Sequence, residues 1–271
     1  MTAPRILLFD SGMGGLTVAN AVRSLLPQAD LLYAADNAAF PYGGWDEPAL
    51  VERIVKVVGI LIERTGPDIV VVACNTASTL ALAALRASYD IPFVGTVPAI
   101  KPAASQTKSG LVGVLATPGT VKREYTRALI DTYAFHCKVF LHGAKRLAEI
   151  AEAKLKGIAP DEEELRQEIA PVFRQRDGKR TDVVVLGCTH YPLLLEEMAR
   201  VAPWPVAYID PAPAIARRTA EVLKSVSSAG HAVTPRSGSV FLTATRSRNP
   251  ESLAAYASMG FPHAELADIP V

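Results

Sequence analysis

The sequence predicts an α/β protein of two pseudo-symmetric doubly wound domains with mainly parallel sheets and an active site in the cleft between them. Three observations lead there. Short, continuously apolar runs alternate with helical patterns along the chain, as expected of parallel strands covered on both faces. Two of these runs end alike, VVVACNT at 70–76 and VVVLGCTH at 183–190, and each leads into a helix. Two proline-containing joints, GTVPAIKPAAS at 95–105 and YIDPAPAIA at 208–216, read as a crossover between units and a return.

The predicted strands are 5–10, 30–36, 68–74, 92–96, 111–117, 137–143, 182–188, 206–210 and 239–244, each an apolar run of strand length. The predicted helices are Thr17–Leu26, Pro48–Arg64, Thr76–Ser88, Val121–Thr132, Ala144–Lys156, Glu162–Gln175, Pro192–Val201, Pro213–Ser225 and Pro250–Met259. Asn249-Pro250 supplies an N-cap with proline at the first helical position. The acids of DEEELRQE (161–168) suit the positive end of a solvated helix. The expected division is a first domain of 1–97 plus 210–271 and an inserted domain of 98–209, with one copy of the cysteine motif in each.

With 271 residues, the chain is long enough for one large core or two modest ones. Apolar residues make up 49% and charged residues 20%, an ordinary globular balance. A net charge of +1 leaves no nucleic-acid footprint. No apolar run approaches the ~20 residues that span a bilayer, and the N-terminus reads as a strand and not as a secretory signal. Three cysteines without CxxC spacing point to free thiols in the cytoplasm and give no metal site.

Both motif cysteines fall at strand carboxyl ends, where open α/β sheets bind ligands. Cys137 opens an apolar run and reads as a small hydrophobe. Cys74 is followed by Asn75-Thr76 and Cys188 by Thr189-His190. Each is expected just before a helix N-terminus, which lowers a thiol pKa. Disulfide exchange, zinc binding and a Cys–His nucleophile each fit this spacing poorly. Two thiols facing one carbon fit better: one removes a proton while the other delivers a proton to the opposite face. Ser11, Thr76 and Thr189 are placed to clamp a carboxylate. Gly12, Gly14 and Gly15 fail the GxGxxG pattern at Thr17 and read as a tight turn with backbone N–H groups near an anion. His136, His142, His231 and His263 have no nameable partners.

FDSGMGGLTV (9–18), DNAAFPYG (36–43), ACNTAS (73–78), GTVPAIKPA (95–103) and GCTHYPLL (187–194), with GVLATPGTV (113–121) and FLTATRS (241–247), together resemble the glutamate racemases of the aspartate/glutamate racemase family. The resemblance implies cofactor-independent interconversion of L- and D-glutamate, supply of D-glutamate to peptidoglycan, and a homodimer. It makes Cys74 and Cys188 the two proton carriers, the first working on D-glutamate and the second on L-glutamate. Asp10 would assist the first thiol and His190 the second. Ser11, Tyr42, Gly43, Asn75, Thr76 and Thr189 would hold substrate, together with Asp10 and His190. A family glutamate near the second thiol aligns with Glu152, with Glu149 close by; by its own pattern Glu152 reads as an exposed helix carboxylate. The competing functions are a racemase for aspartate, hydantoin or another carboxylate, a thiol-dependent decarboxylase of the same fold, and a non-catalytic binding protein.

Overall fold

A computed structural model describes residues 3–226, 237–245, 248–267 and 269. The described strands are β1 (Arg5–Asp10), β2 (Asp30–Ala35), β3 (Ile69–Val72), β4 (Phe93–Val94), β5 (Leu111–Ala116), β6 (Lys138–Gly143), β7 (Gln175–Arg176), β8 (Lys179–Arg180), β9 (Val183–Gly187), β10 (Ala207–Ile209), β11 (Ser239–Leu242) and β12 (His263–Leu266). The helices are α1 (Leu16–Leu25), α2 (Glu47–Thr65), α3 (Asn75–Ser88), α4 (Ile100–Gln106), α5 (Pro118–Lys122), α6 (Glu124–Tyr133), α7 (Leu147–Leu155), α8 (Glu162–Ile169), α9 (Leu195–Val201), α10 (Ala212–Leu223) and α11 (Pro250–Ser258). A six-stranded sheet runs β12-β11-β2-β1-β3-β4 and a four-stranded sheet runs β10-β9-β5-β6. All of their pairings are parallel.

Side-chain alternation explains why both faces of each sheet are covered. In β1, Ile6 and Leu8 join a core with Leu16, Val22, Ile215 and Tyr256 from α1, α10 and α11. Leu7 and Phe9 join the opposite core with Ile54, Val57, Leu61 and Leu85 from α2 and α3. The smaller sheet repeats this. Leu115, Val184 and Leu186 pack toward α7, α8 and α9, whereas Val112, Val114, Val183 and Val185 pack toward α4 and α6.

Helix ends follow their local chemistry. Asp46 accepts from Ala49 N at the start of α2, and Gly66 closes that helix at φ +53°. Asn249 caps α11 through Ser252 N, as its Asn-Pro start predicts. Other expectations need correction. The crossover near Pro98 and Pro102 contains α4, whose early Pro102 sits where few intrahelical N–H bonds are needed. The helix expected over 121–132 is two helices, broken where Arg123 turns extended. The helix expected over 162–175 ends at Ile169, because Pro171 turns the chain into a 3-10 turn. An Asp177-Gly178 hairpin with both residues at positive φ follows it. Tyr191–Leu194 is a 3-10 turn before α9. Strand β12 was not predicted; its four residues carry too short a pattern. His231 and residues 246–247 of FLTATRS lie outside the described residues.

The loop after β2 is pinned by a buried carboxylate. Asp36 accepts from Tyr42 Oη at 2.7 Å, from Arg53 Nε and Nη2 at 2.8 and 2.7 Å, and from Thr243 Oγ1 at 2.7 Å. Removing one partner of such a buried pair strands the other. Arg53→Met is expected to destabilise the protein by about 3–5 kcal/mol in urea unfolding. Arg218→Met, which breaks an exposed pair with Glu221, should leave the midpoint unchanged.

Candidate active site

Strands β1, β3, β5 and β9 are interior to their sheets, and their carboxyl ends converge. Ser11, Cys74, Thr117 and Cys188 follow these four strands and line one cavity with Phe40, Tyr42, Gly43, Asn75, Thr76, Thr189 and His190. Its free space is about 20 Å³, room for little more than a water. Among the described residues, no group of three or more His, Cys, Asp or Glu side chains is arranged to hold a metal ion.

Cys74 is the N-cap residue of α3. Burial pushes its thiol up to about 12, and the charge of Asp10 adds to the rise; the Ala77 N–H and Ser11 pull weakly the other way. This corrects the expectation of a lowered thiol pKa, since burial outweighs the helix terminus. Ser11 Oγ lies 3.7 Å from Cys74 Sγ. Asn75 is buried, and neither oxygen nor nitrogen of its amide has a partner. An amide left unpaired inside a fold is costly, and here it lines the cavity.

Around the second thiol the polar groups are connected. His190 Nδ1 is 3.7 Å from Cys188 Sγ, and His190 Nε2 is 3.2 Å from Glu152 Oε1. Met13 N donates to the same Glu152 oxygen at 2.9 Å. Lys156 Nζ stands 3.5 Å from Oε2. Glu152 is only 12% exposed, so it is not the exposed helix carboxylate its sequence pattern implies. Glu149 instead pairs with Arg146. Burial opposes the charges on both Glu152 and His190, yet their mutual attraction prevails. With the Met13 N–H and Lys156, it holds the carboxyl below its usual range. With Cys188, it holds the imidazole well above its own. Gly14 N also points at Nε2, from 3.1 Å, and competes for the lone pair that protonation removes. The charged His190–Glu152 pair wins that competition.

The turn after β1 ties the two thiol loops together. Asp10 accepts from Gly12 N at 2.9 Å and from Thr189 Oγ1 at 3.0 Å, and Thr17 Oγ1 donates to Thr189 O at 3.2 Å. Asp10 therefore acts on Cys74 through its charge, while its oxygens grip the Cys188 loop. Burial raises its pKa, partly offset by His190, Gly12 and Thr189. The anions served by this turn's N–H groups are the protein's own Asp10 and Glu152. The glycines are needed for close approach: a Cβ on Gly12 would collide with Glu152 and Phe40, and one on Gly14 with His190 and Thr189.

Ser11, Tyr42, Gly43, Asn75, Thr76, Thr189, His190 and both thiols line this cavity, with Asp10 and Glu152 against it; Glu149 does not reach it, and Tyr42 changes its part. The Tyr42 hydroxyl is spent on Asp36. Tyr42 and Gly43 begin a 3-10 turn, whose first N–H groups have no partner within the turn. Thr117 and Phe40 went unrecognised. Thr117 contacts Thr76 Oγ1 at 3.2 Å and Thr120 Oγ1 at 2.9 Å. The signal for it was the echo between halves: Thr117 follows β5 as Ser11 follows β1. Cys137 is half-buried beside the second sheet, away from these thiols.

The sequence profile of the Asp/Glu/hydantoin racemase family matches residues 17–219. The glutamate racemase of Brucella anthropi is 59% identical over 220 residues, 81% of this chain and 79% of that one. This chain belongs to the Asp/Glu/hydantoin racemase family. The glutamate racemase of Mesorhizobium japonicum is 56% identical over 230 residues, 84% of this chain and 88% of that one. The crystal structure of Escherichia coli glutamate racemase with L-glutamate and the activator UDP-MurNAc-Ala superimposes at a TM-score of 0.91. It is 42% identical and covers 99% of this chain and 100% of that one. The likeness thus extends past the family match to the Asp10–Gly15 turn and the C-terminal strands.

Two outcomes follow for this racemase. Gly14→Ala should displace His190, lower the rate of racemisation by about 10²-fold or more and cost about 1–3 kcal/mol of stability; an active Gly14→Ala protein would contradict the close packing described. Alkylation of Cys74 by iodoacetamide, followed by peptide mass spectrometry, should rise tenfold per pH unit from pH 7 to pH 10, because the thiol titrates near 12. A plateau below pH 9 would show that burial does not govern this thiol.

Proposed function

We propose that this isomerase interconverts L- and D-glutamate without a cofactor, by proton transfer on opposite faces of Cα between Cys74 and Cys188. The observation that carries the reading is the meeting of two thiols, from corresponding positions after β3 and β9, in one cavity beside an unpaired buried amide. With L-glutamate bound, Cys188 takes the Cα proton as the Cys74 thiol gives one to the other face; with D-glutamate the roles reverse. His190, held by Glu152, stands beside Cys188 to stabilise its thiolate and take part in its proton exchange. Ser11 supports Cys74, and the charge of Asp10 keeps that sulfur protonated until substrate arrives. Asn75, Thr76, Thr189 and the N–H groups of Tyr42 and Gly43 bind the carboxylates, a task suited to the N-terminus of α3. Thr117 joins them from the second sheet.

We also place the domain boundaries at 97/98 and 209/210, which keeps each parallel sheet within one unit. The family resemblance supports a cytoplasmic homodimer that supplies D-glutamate for peptidoglycan. No described helix is long and apolar enough to cross a membrane.

Racemisation in D₂O tests the mechanism. Starting from either enantiomer, NMR should find solvent deuterium at Cα of the product. Cys74→Ser and Cys188→Ser should each lose racemisation by about 10²–10⁴-fold or more. Full turnover by either variant would sink the two-thiol reading, and faster turnover of aspartate than glutamate would sink the substrate.

A further inference from the structure

The cavity between the thiols has about 20 Å³ of free space, and its walls come from both sheet layers. One edge of the joint between them runs past the cavity wall. There the Tyr42–Gly44 turn of the first layer meets α5 of the second, and the Thr76–Thr117 hydroxyl contact crosses the same joint. Arg123 stands in the break between α5 and α6, and its Nη1 donates to Glu47 Oε1 at 2.8 Å. Glu47 is the first residue of α2, shortly after that turn. A Cβ built on Gly119 would lie 3.8 Å from Arg123 Nη2 and 3.8 Å from both Cα and O of Gly43. The guanidinium therefore sits where Gly43, a cavity residue, approaches Gly119 across the joint.

The pair is lopsided. The Arg123 side chain is 9% exposed and that of Glu47 62%. Arg123 Nε is buried with no hydrogen-bond partner. The bond joins a mostly buried guanidinium on one layer to a mostly solvated carboxylate on the other, so it holds only while the two layers lie together. It suits a contact that must form and break, more than one that stabilises the fold.

We propose that Glu47 and Arg123 form a bolt across the mouth of the cleft, with Arg123 a positioning residue that holds the Gly43 and Thr117 walls together over bound glutamate. The proposal rests on the reading of the cleft as a glutamate racemase site. The bolt acts on the closed, liganded state and touches neither thiol. Breaking it weakens the hold on substrate and leaves the proton transfers intact.

Steady-state kinetics on both enantiomers, for wild type, Glu47→Gln, Arg123→Gln and the double variant across a salt series, test this. KM should rise about fivefold, the equivalent of one ion pair, with kcat little changed. The double variant should be no worse than the worse single variant, since both break one bond. The fall in kcat/KM should be equal for L- and D-glutamate, whose equilibrium constant is one. Added salt should raise KM more steeply in wild type than in the variants. Unchanged KM in Glu47→Gln, additive single effects, or a loss confined to kcat would each overturn the bolt. Should Arg123→Gln fail to fold, the exposed Glu47→Gln and the wild-type salt series decide. A wild type inert toward both enantiomers overturns the racemase reading and the bolt with it; an active wild type with an unaltered Glu47→Gln overturns the bolt alone.

Discussion

The close approach of the Asp10–Gly15 turn to the Cys188 loop is the constraint on which the site depends. Backbone N–H groups of Gly12, Met13 and Gly14 reach Asp10, Glu152 and His190 directly, and Asp10 holds Thr189. A side chain on Gly12 or Gly14 would occupy the space these groups use. Glu152 is thereby satisfied by backbone from the other half of the fold, and Asp10, bonded within its own turn, reaches across to Thr189. Hydrogen bonds to charged groups are each worth about 1.5–3 kcal/mol, and unsatisfied ones in a dry site cost at least as much. The fold thus fixes the second thiol's surroundings from the first thiol's side, and the two halves of the chemistry are aligned by the same turn.

That alignment carries an electrostatic asymmetry. Cys74 lies among neutral groups and near the Asp10 charge, and it stays a thiol. Cys188 faces an imidazole held in its charged form by Glu152. An inversion needs one sulfur with a proton and one without at the start of every turnover. Charge on the Cys188 sulfur raises the pKa of Cys74, so the pair avoids being doubly charged. Unequal neighbours add a preference for which sulfur keeps its proton. The bulk fold is pseudo-symmetric, but the polar groups around its sulfurs are not.

Much of this was legible in the sequence, for identifiable reasons. Interior parallel strands must be apolar on both faces, so 68–74, 111–117 and 182–188 stood out, and a polar break at a strand's carboxyl end is a site signal. The Cys pair and its Asn75, Thr76, Thr189 and His190 neighbours follow from that logic. The exposure that the pattern of α7 implies for Glu152 does not hold, because the helix presents it to His190 and the N–H of Met13, partners that the helix's own pattern does not encode. The thiol pKa of Cys74 was misjudged because a helix N-terminus is visible in sequence and burial is not. Thr117 was within reach: its strand is the counterpart of β1, but its motif has no thiol to draw attention. The break at Arg123 left no mark, since no proline or glycine causes it.

The closed cavity brings these strands together. A carbon acid is deprotonated most readily where water is excluded and the compensating dipoles are already in place. Here the walls close to about the size of one water while Asn75 keeps an unpaired amide inside. A site that excludes water for chemistry also has to exchange substrate and product. Its layers therefore need contacts of two kinds. The bonds of the Asp10–Gly15 turn are short, buried and multiple, and they fix the reacting groups. Contacts at the mouth have to yield to water at small cost, and a carboxylate left mostly in solvent, as Glu47 is, meets that requirement where a fully buried partner such as Asp36 would not. The division between buried grips at the chemistry and solvated grips at the mouth is what lets one fold be rigid at its sulfurs and still exchange its substrate.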